Sequence, residues 1–233
     1  MRRVVLLALV AAASLGVGVR QAEATNECRG LQVCVRVAGP WVVVPAGLVT
    51  PRPRVDYQLS CPLGFVVGGL DVQLTDRAID VDFLGKLGSP VNPGVTTSRS
   101  ALFRAIYAGS SPRGPTFRPH LGCIPASGGS AGPVPFKIPD TFPPGEPTIR
   151  RVRNVRLHPG SQRAVAACAA GERLMSGWHA VGFTTKAPPS AEQIQGILAT
   201  RTLRAGRVEV RVRAGAGALH AVVQVGALCG GGS

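Results

Sequence analysis

Three groups of residues in this chain have types and spacings that could do chemistry. The first is acidic: Asp71, Asp76, Asp80 and Asp82 crowd one short stretch. Asp80 and Asp82 would share a face of a strand over 79–83. With Asp76 they form the candidate set for a weak calcium site, because extracellular modules hold that ion in oxygen-rich clusters. The DxDxDG order of a calcium loop is absent. The competing expectation is that these acids pair with Arg77 and Arg104. A secreted hydrolase assembled from distant residues would also centre on the 71–82 aspartates. No HExxH helix and no GxxxxGK[ST] phosphate loop occurs. His120, His158, His179 and His220 are scattered, with no carboxylate or second histidine at ligand spacing. No catalytic residue and no cofactor is therefore assigned.

The second group is basic. Arg150, Arg151, Arg153 and Arg156 stand in "RRVRNVR", and Arg207, Arg211 and Arg213 in "RVEVRVR". Guanidinium forks match carboxylate and phosphate oxygens, so these arginines are the candidate anion-binding residues. The chain carries a formal charge of +14. Only Lys86, Lys137 and Lys186 among its 26 basic residues are lysine. That bias is what a GC-rich genome gives, so a solvated basic face is the plain alternative to a binding face. Nucleic-acid grooves interleave aromatics with the cations. Here the arginine clusters contain none, and Trp41, Trp178, Tyr57 and Tyr107 are the whole Trp and Tyr complement. Sequence-specific nucleic-acid binding is not expected, and Trp178 is expected in the core.

The third group is the cysteines: Cys28, Cys34, Cys61, Cys123, Cys168 and Cys229. An even count in an exported chain predicts disulfides. Cys61 and Cys168 each have a glycine three residues on, Gly64 and Gly171. Gly109 and Gly215 each precede the next cysteine, Cys123 and Cys229, by the same interval. The near-equal spacings pair Cys61 with Cys123 and Cys168 with Cys229, and leave Cys28 and Cys34 to close locally. A repeated unit follows: residues 41–124 and 152–230, each closed by its own bridge, with 25–40 as an N-terminal segment.

The elements that must position these residues are strands. In Arg207–Arg213 valines alternate with charges, the period of a strand with one buried face. Stretches 55–61, 65–74 and 219–229 read likewise, and the glycines of "FVVGGLDVQL" suggest a bulge or a close backbone approach. One helix is expected at 190–198, where Ser190 and Gln193 fit a capping box. Residues 125–151 form a proline- and glycine-rich linker. The fold class expected is all-β, sandwich or barrel-like, built from two similar disulfide-closed units.

At the N-terminus Arg2 and Arg3 precede an uncharged apolar stretch, 4–19, and Ala22 and Ala24 give a small-x-small cleavage pattern. The expectation is a signal peptide over 1–24, too short to span a bilayer, with no spanning segment left after cleavage. The segment "CPLGFVVGG" resembles one found in uncharacterised exported bacterial β-proteins, where Cys-Pro-x-Gly runs into a glycine pair. The second unit departs from it, with Ala169 for proline and Gly177-Trp178 for the pair. The resemblance implies no catalytic residue. Together these features lead to a secreted or cell-envelope protein without catalytic activity, whose partner is an anionic polymer or envelope component.

Overall fold

The computed structural model describes residues 25–47, 50–84, 99–110, 114–126 and 148–230. The expected signal peptide and residues 127–147 of the expected linker lie outside them. The fold is all-β. The strands in chain order are β1 (Val35–Ala38), β2 (Trp41–Val43), β3 (Arg54–Ser60), β4 (Phe65–Leu74), β5 (Ile79–Leu84), β6 (Ser100–Tyr107) and β7 (Thr116–Pro125). After the undescribed stretch come β8 (Thr148–Arg156), β9 (Gly160–Ala167), β10 (Arg173–Phe183), β11 (Ile197–Arg204), β12 (Arg207–Ala214) and β13 (Ala221–Gly230). Because β8 begins at Thr148, Arg150 and Arg151 belong to a strand and not to the linker.

The one described helix, α1 (Ala191–Gln195), starts where the capping box places it. The Gln193 amide donates to Ser190 Oγ, and the Ser190 amide donates to Gln193 Oε1. It ends before 198 because Gly196 caps it and Ile197 enters β11. Ile197 and Ala199 pack there against the core, a gain that local helix propensity cannot match.

The pairing in the two halves follows one plan. In the first, β7 pairs with β2 and β4, and β3–β6–β5 form a separate three-stranded sheet. In the second, β13 pairs with β8 and β10, and β9–β12–β11 form the separate sheet. Short β2 joins the halves by pairing with β10 as well as β7, giving one seven-stranded sheet.

Local details match too. Gly64 and Gly171 both have positive φ, +81° and +84°. Each sits third in a turn, closed by Phe65 N–H to Pro62 C=O in one half and by Glu172 N–H to Ala169 C=O in the other. That turn type requires φ > 0 at its third position, which explains why glycine stands there. The ladder shifts register between Val67 and Gly69 in β4, and between Leu174 and Ser176 in β10. The bulge expected in β4 is therefore present. So is the close approach: a Cβ on Gly69 would lie 1.8 Å from the carbonyl oxygen of Glu27.

The bridges are Cys28–Cys34, Cys61–Cys123 and Cys168–Cys229, the pairing that the spacing predicts. The core is divided. Val55, Tyr57, Phe103, Phe117 and Leu121 centre the first part; Val208, Val210, Val212, Val223 and Val225 centre the second. Register shows how the two are arranged. Gly182 pairs with Val42, and Phe183 with Trp41. Paired residues share a face and neighbours along a strand alternate. Val42 lies in the first core and Phe183 in the second, so the two small sheets cover opposite faces of the shared one. Trp178 is buried, as expected. It lies against Gly226, its cross-strand partner, where a Cβ would come within 2.0 Å of the indole.

Candidate functional site

The outer face of β9–β12–β11 gathers the densest cationic surface on described strands. Valines 208, 210 and 212 are buried, which turns Arg207, Glu209, Arg211 and Arg213 outward. The ladder sets Arg163 of β9 opposite Arg211, and Arg204 of β11 opposite Arg207. Alternation would leave Glu209 as open to solvent as Arg207, Arg211 and Arg213. It is instead buried, at 4% exposure, because arginines from all three strands close over it. Arg163 approaches its carboxylate at 2.7 Å, Arg211 at 3.5 Å and Arg204 at 3.8 Å. Burial by itself would raise the carboxyl pKa, but the arginines outweigh it and hold it below its ordinary value. Three guanidiniums thus close over one carboxylate. Arg207 and Arg213 stand on the rim, exposed. Thr200, Thr202 and Ser161 lie beside this row on the flanking strands. Arg163 is the member that sequence reasoning missed. Its signal was the alternation Ser161, Arg163, Val165, which needs the register with β12 before it means anything.

The other arginine cluster does not form one face. Alternation along β8 puts Arg151 and Arg153 beside Ala227 and Val225, and Arg150 and Arg156 beside Leu228 and Val222. The first two therefore point to one side of the sheet and the second two to the other. Arg151 is bound by Glu172, its Nε donating to Oε2 at 2.7 Å. That partner and the Ala169 amide hold the Glu172 carboxyl down at about 2. Arg150 is half-buried; burial lowers its pKa, and Asp56 works against that. Arg153 and Arg156 are exposed.

The aspartates do not converge. Asp71 accepts from the Asn26 and Val72 amides. Asp76 accepts from the Ala78 amide at 2.9 Å and the Tyr107 hydroxyl at 2.8 Å, which hold its carboxyl low. Asp80 and Asp82 share a face of the edge strand β5 and are exposed. Asp82 lies across from Arg104 in the ladder, yet Arg104 turns to Asp56, at 3.1 Å. Among the described residues, one group brings three His, Cys, Asp or Glu ligand atoms together: Cys168, Glu172 and Cys229. Two of these are a disulfide and the third is the partner of Arg151. Oxidised sulfurs offer no thiolate, so the group is a structural staple.

The histidines hold a surprise. His120 has no carboxylate at ligand spacing in sequence, yet the cross-strand neighbourhood of β7 buries it beside one. Its Nδ1 lies 3.9 Å from Glu27 and its Nε2 3.1 Å from Gln73 Oε1. A carboxylate from the N-terminal segment and an imidazole from β7 thus meet across a gap in sequence that no spacing rule detects. Burial lowers the His120 pKa more than Glu27 raises it. His179 is half-buried, with an unpartnered Nδ1. His158 and His220 are exposed. A Gly-x-Ser-x-Gly string stands at 128–132, among the undescribed residues. The hydrolase elbow with those letters needs a strand before and a helix after it. A strand, β7, does precede it, and Pro133 and Pro135 follow it in sequence.

No family model and no curated protein matches this chain. Among solved structures, the collagen binding domain of surface protein RspB from Erysipelothrix rhusiopathiae is similar at 10% identity, over 84% of this chain and 81% of that one. The TM-score is 0.24, too low for the likeness to bear on function. The class is thus defined by the fold itself: a disulfide-stapled all-β protein with one strongly cationic sheet face. No helix among the described residues is long and apolar enough to cross a membrane.

Proposed function

We propose that this chain is an exported β-protein without catalytic activity, which adheres through the outer face of β9–β12–β11 to an anionic surface such as a cell-envelope or matrix polymer. The observation that carries the reading is the gathering of Arg163, Arg204 and Arg211 on the buried carboxylate of Glu209, with Arg207 and Arg213 exposed on the same face. Glu209 organises the inner guanidiniums and leaves Arg207 and Arg213 on the rim. The ladder fixes the spacing of the five positions, and the Glu209 pairs order three of the guanidiniums before a polyanion docks. Three disulfides suit an oxidising compartment. The like organisation of the two halves supports origin by duplication of one β-unit.

The test is retention on dextran sulfate beads. The disulfide-intact protein is expected to bind at low ionic strength and to elute as salt rises, because the screening length falls from about 10 Å at 0.1 M to about 3 Å at 1 M. The Arg207→Gln, Arg213→Gln variant leaves the pairs of Glu209 with Arg163, Arg204 and Arg211 intact. It is expected to bind roughly tenfold more weakly, each exposed pair being worth up to about 1 kcal/mol. Salt-independent retention, or equal retention of the variant, would mark the arginines as a solvated face.

A further inference from the structure

A separate cleft of about 980 Å³ lies where the shared sheet is incomplete. Along one edge β10 pairs with β13 over its whole length; along the other it meets β2 only at Gly182 and Phe183. From Ser176 to Val181 that second edge has no strand partner among the described residues. The two small sheets cover opposite faces of the shared sheet, so β3 walls this edge on one side and β11 on the other.

The cleft has two chemistries. Val43, Val55, Ile106, Val181, Ile197 and Ala199 give it apolar walls. Arg52, Arg54 and Arg201 stand among them with one acid, Asp56. Asp56 is already claimed, by Arg104 at 3.1 Å and Arg54 at 3.3 Å. Arg201 donates through Nη1 to the Gly177 carbonyl, which fixes its guanidinium at the open edge of β10. Arg52 donates to the Tyr107 carbonyl at 3.5 Å and has no acid partner among the described residues. The cations are therefore in excess beside an apolar surface, and both are held on strands or next to them. A wholly apolar ligand would leave the guanidiniums uncompensated. A polyanion would gain nothing from the walls, and it suits the outer face of β12 better.

We propose that this cleft binds an anionic amphiphile: an elongated apolar body with a terminal carboxylate, the body lying against Val55, Ile197 and Ala199 and the carboxylate meeting Arg52 and Arg201. The volume is at the upper end of ordinary small-molecule sites. The imidazole of His179 also lines the cleft, and burial, with Arg201 beside it, lowers its pKa.

Trp178 lines the same cleft and is one of two tryptophans in the chain. Its fluorescence in a Trp41→Phe background reports occupancy. Sodium decanoate below its micelle concentration is expected to give a saturable change, at least tenfold tighter than 1-decanol. Ala199→Phe fills the cleft and should abolish the change. Arg52 is exposed, so Arg52→Gln should leave the fold intact; it should weaken decanoate severalfold and leave 1-decanol unmoved. These outcomes stand apart from adhesion to dextran sulfate, which uses other residues. The proposal is overturned by the absence of a saturable change with decanoate, by equal affinity for the acid and the alcohol, or by unaltered decanoate binding in Arg52→Gln.

Discussion

The side chain of Gln224 acts as a strand partner for Gln58. Its Oε1 accepts the Gln58 amide at 2.7 Å, and its Nε2 donates to the Gln58 carbonyl at 2.9 Å. Gln58 lies on β3, the edge of the first small sheet, and Gln224 on β13, inside the shared sheet between β10 and β8. One buried amide thus satisfies an edge that would otherwise face the interior unpaired, and it joins the two halves of the chain. The second Nε2 proton goes to Asn154 Oδ1, at 3.0 Å.

Replacing Gln224 by leucine keeps the volume but leaves the Gln58 amide, the Gln58 carbonyl and Asn154 without this partner. A buried unsatisfied polar group costs about 1–3 kcal/mol. Gln224→Leu should therefore lower stability by at least that amount in urea titration. Gln224→Glu should also destabilise, because a carboxylate repels the Gln58 carbonyl and Asn154 Oδ1. A variant as stable as the parent would show that the junction between halves does not depend on this amide.

The acid limb of stability should carry a signature of Glu172. Its folded pKa is depressed to about 2 from an ordinary 4.5. The unfolded state therefore takes up the proton first as pH falls. The stabilisation is fully present above pH 4.5 and is lost as pH drops from there toward 2. Glu172→Gln should flatten the pH dependence of the unfolding midpoint in that window and leave neutral-pH curvature unchanged. Measuring the midpoint at half-unit pH intervals for both proteins checks it.

The bridges should differ in weight by loop length. Cys61–Cys123 and Cys168–Cys229 close loops of 62 and 61 residues, and Cys28–Cys34 closes one of 6. Chain-entropy arithmetic gives about 4 kcal/mol for each long loop and about 2 kcal/mol for the short one. Serine replacement of either long pair should thus cost a similar amount, and replacement of Cys28 and Cys34 about half. Urea midpoints of the three double variants give the comparison directly.

Sequence alone determined what is local or periodic. Valine–charge alternation marked β12, Ser190 and Gln193 marked the helix start, and Gly64 and Gly171 marked matching points of the two halves. Cysteine spacing gave all three bridges, since covalent pairs in like units must recur at like intervals. Each of these signals is carried by neighbours along the chain. What only the tertiary structure decided is which strands lie side by side. Register placed Arg163 beside Arg211 and closed three arginines over Glu209. It sent Arg150 and Arg151 to opposite sides of one sheet, although they are adjacent in sequence. It buried His120 against Glu27, gave Arg104 to Asp56 in place of the 71–82 aspartates, and left β10 with an open edge. A sheet's partners are chosen by the summed burial of whole faces. That sum has no counterpart in any short window of residues, so the site could be assembled only after the strands were paired.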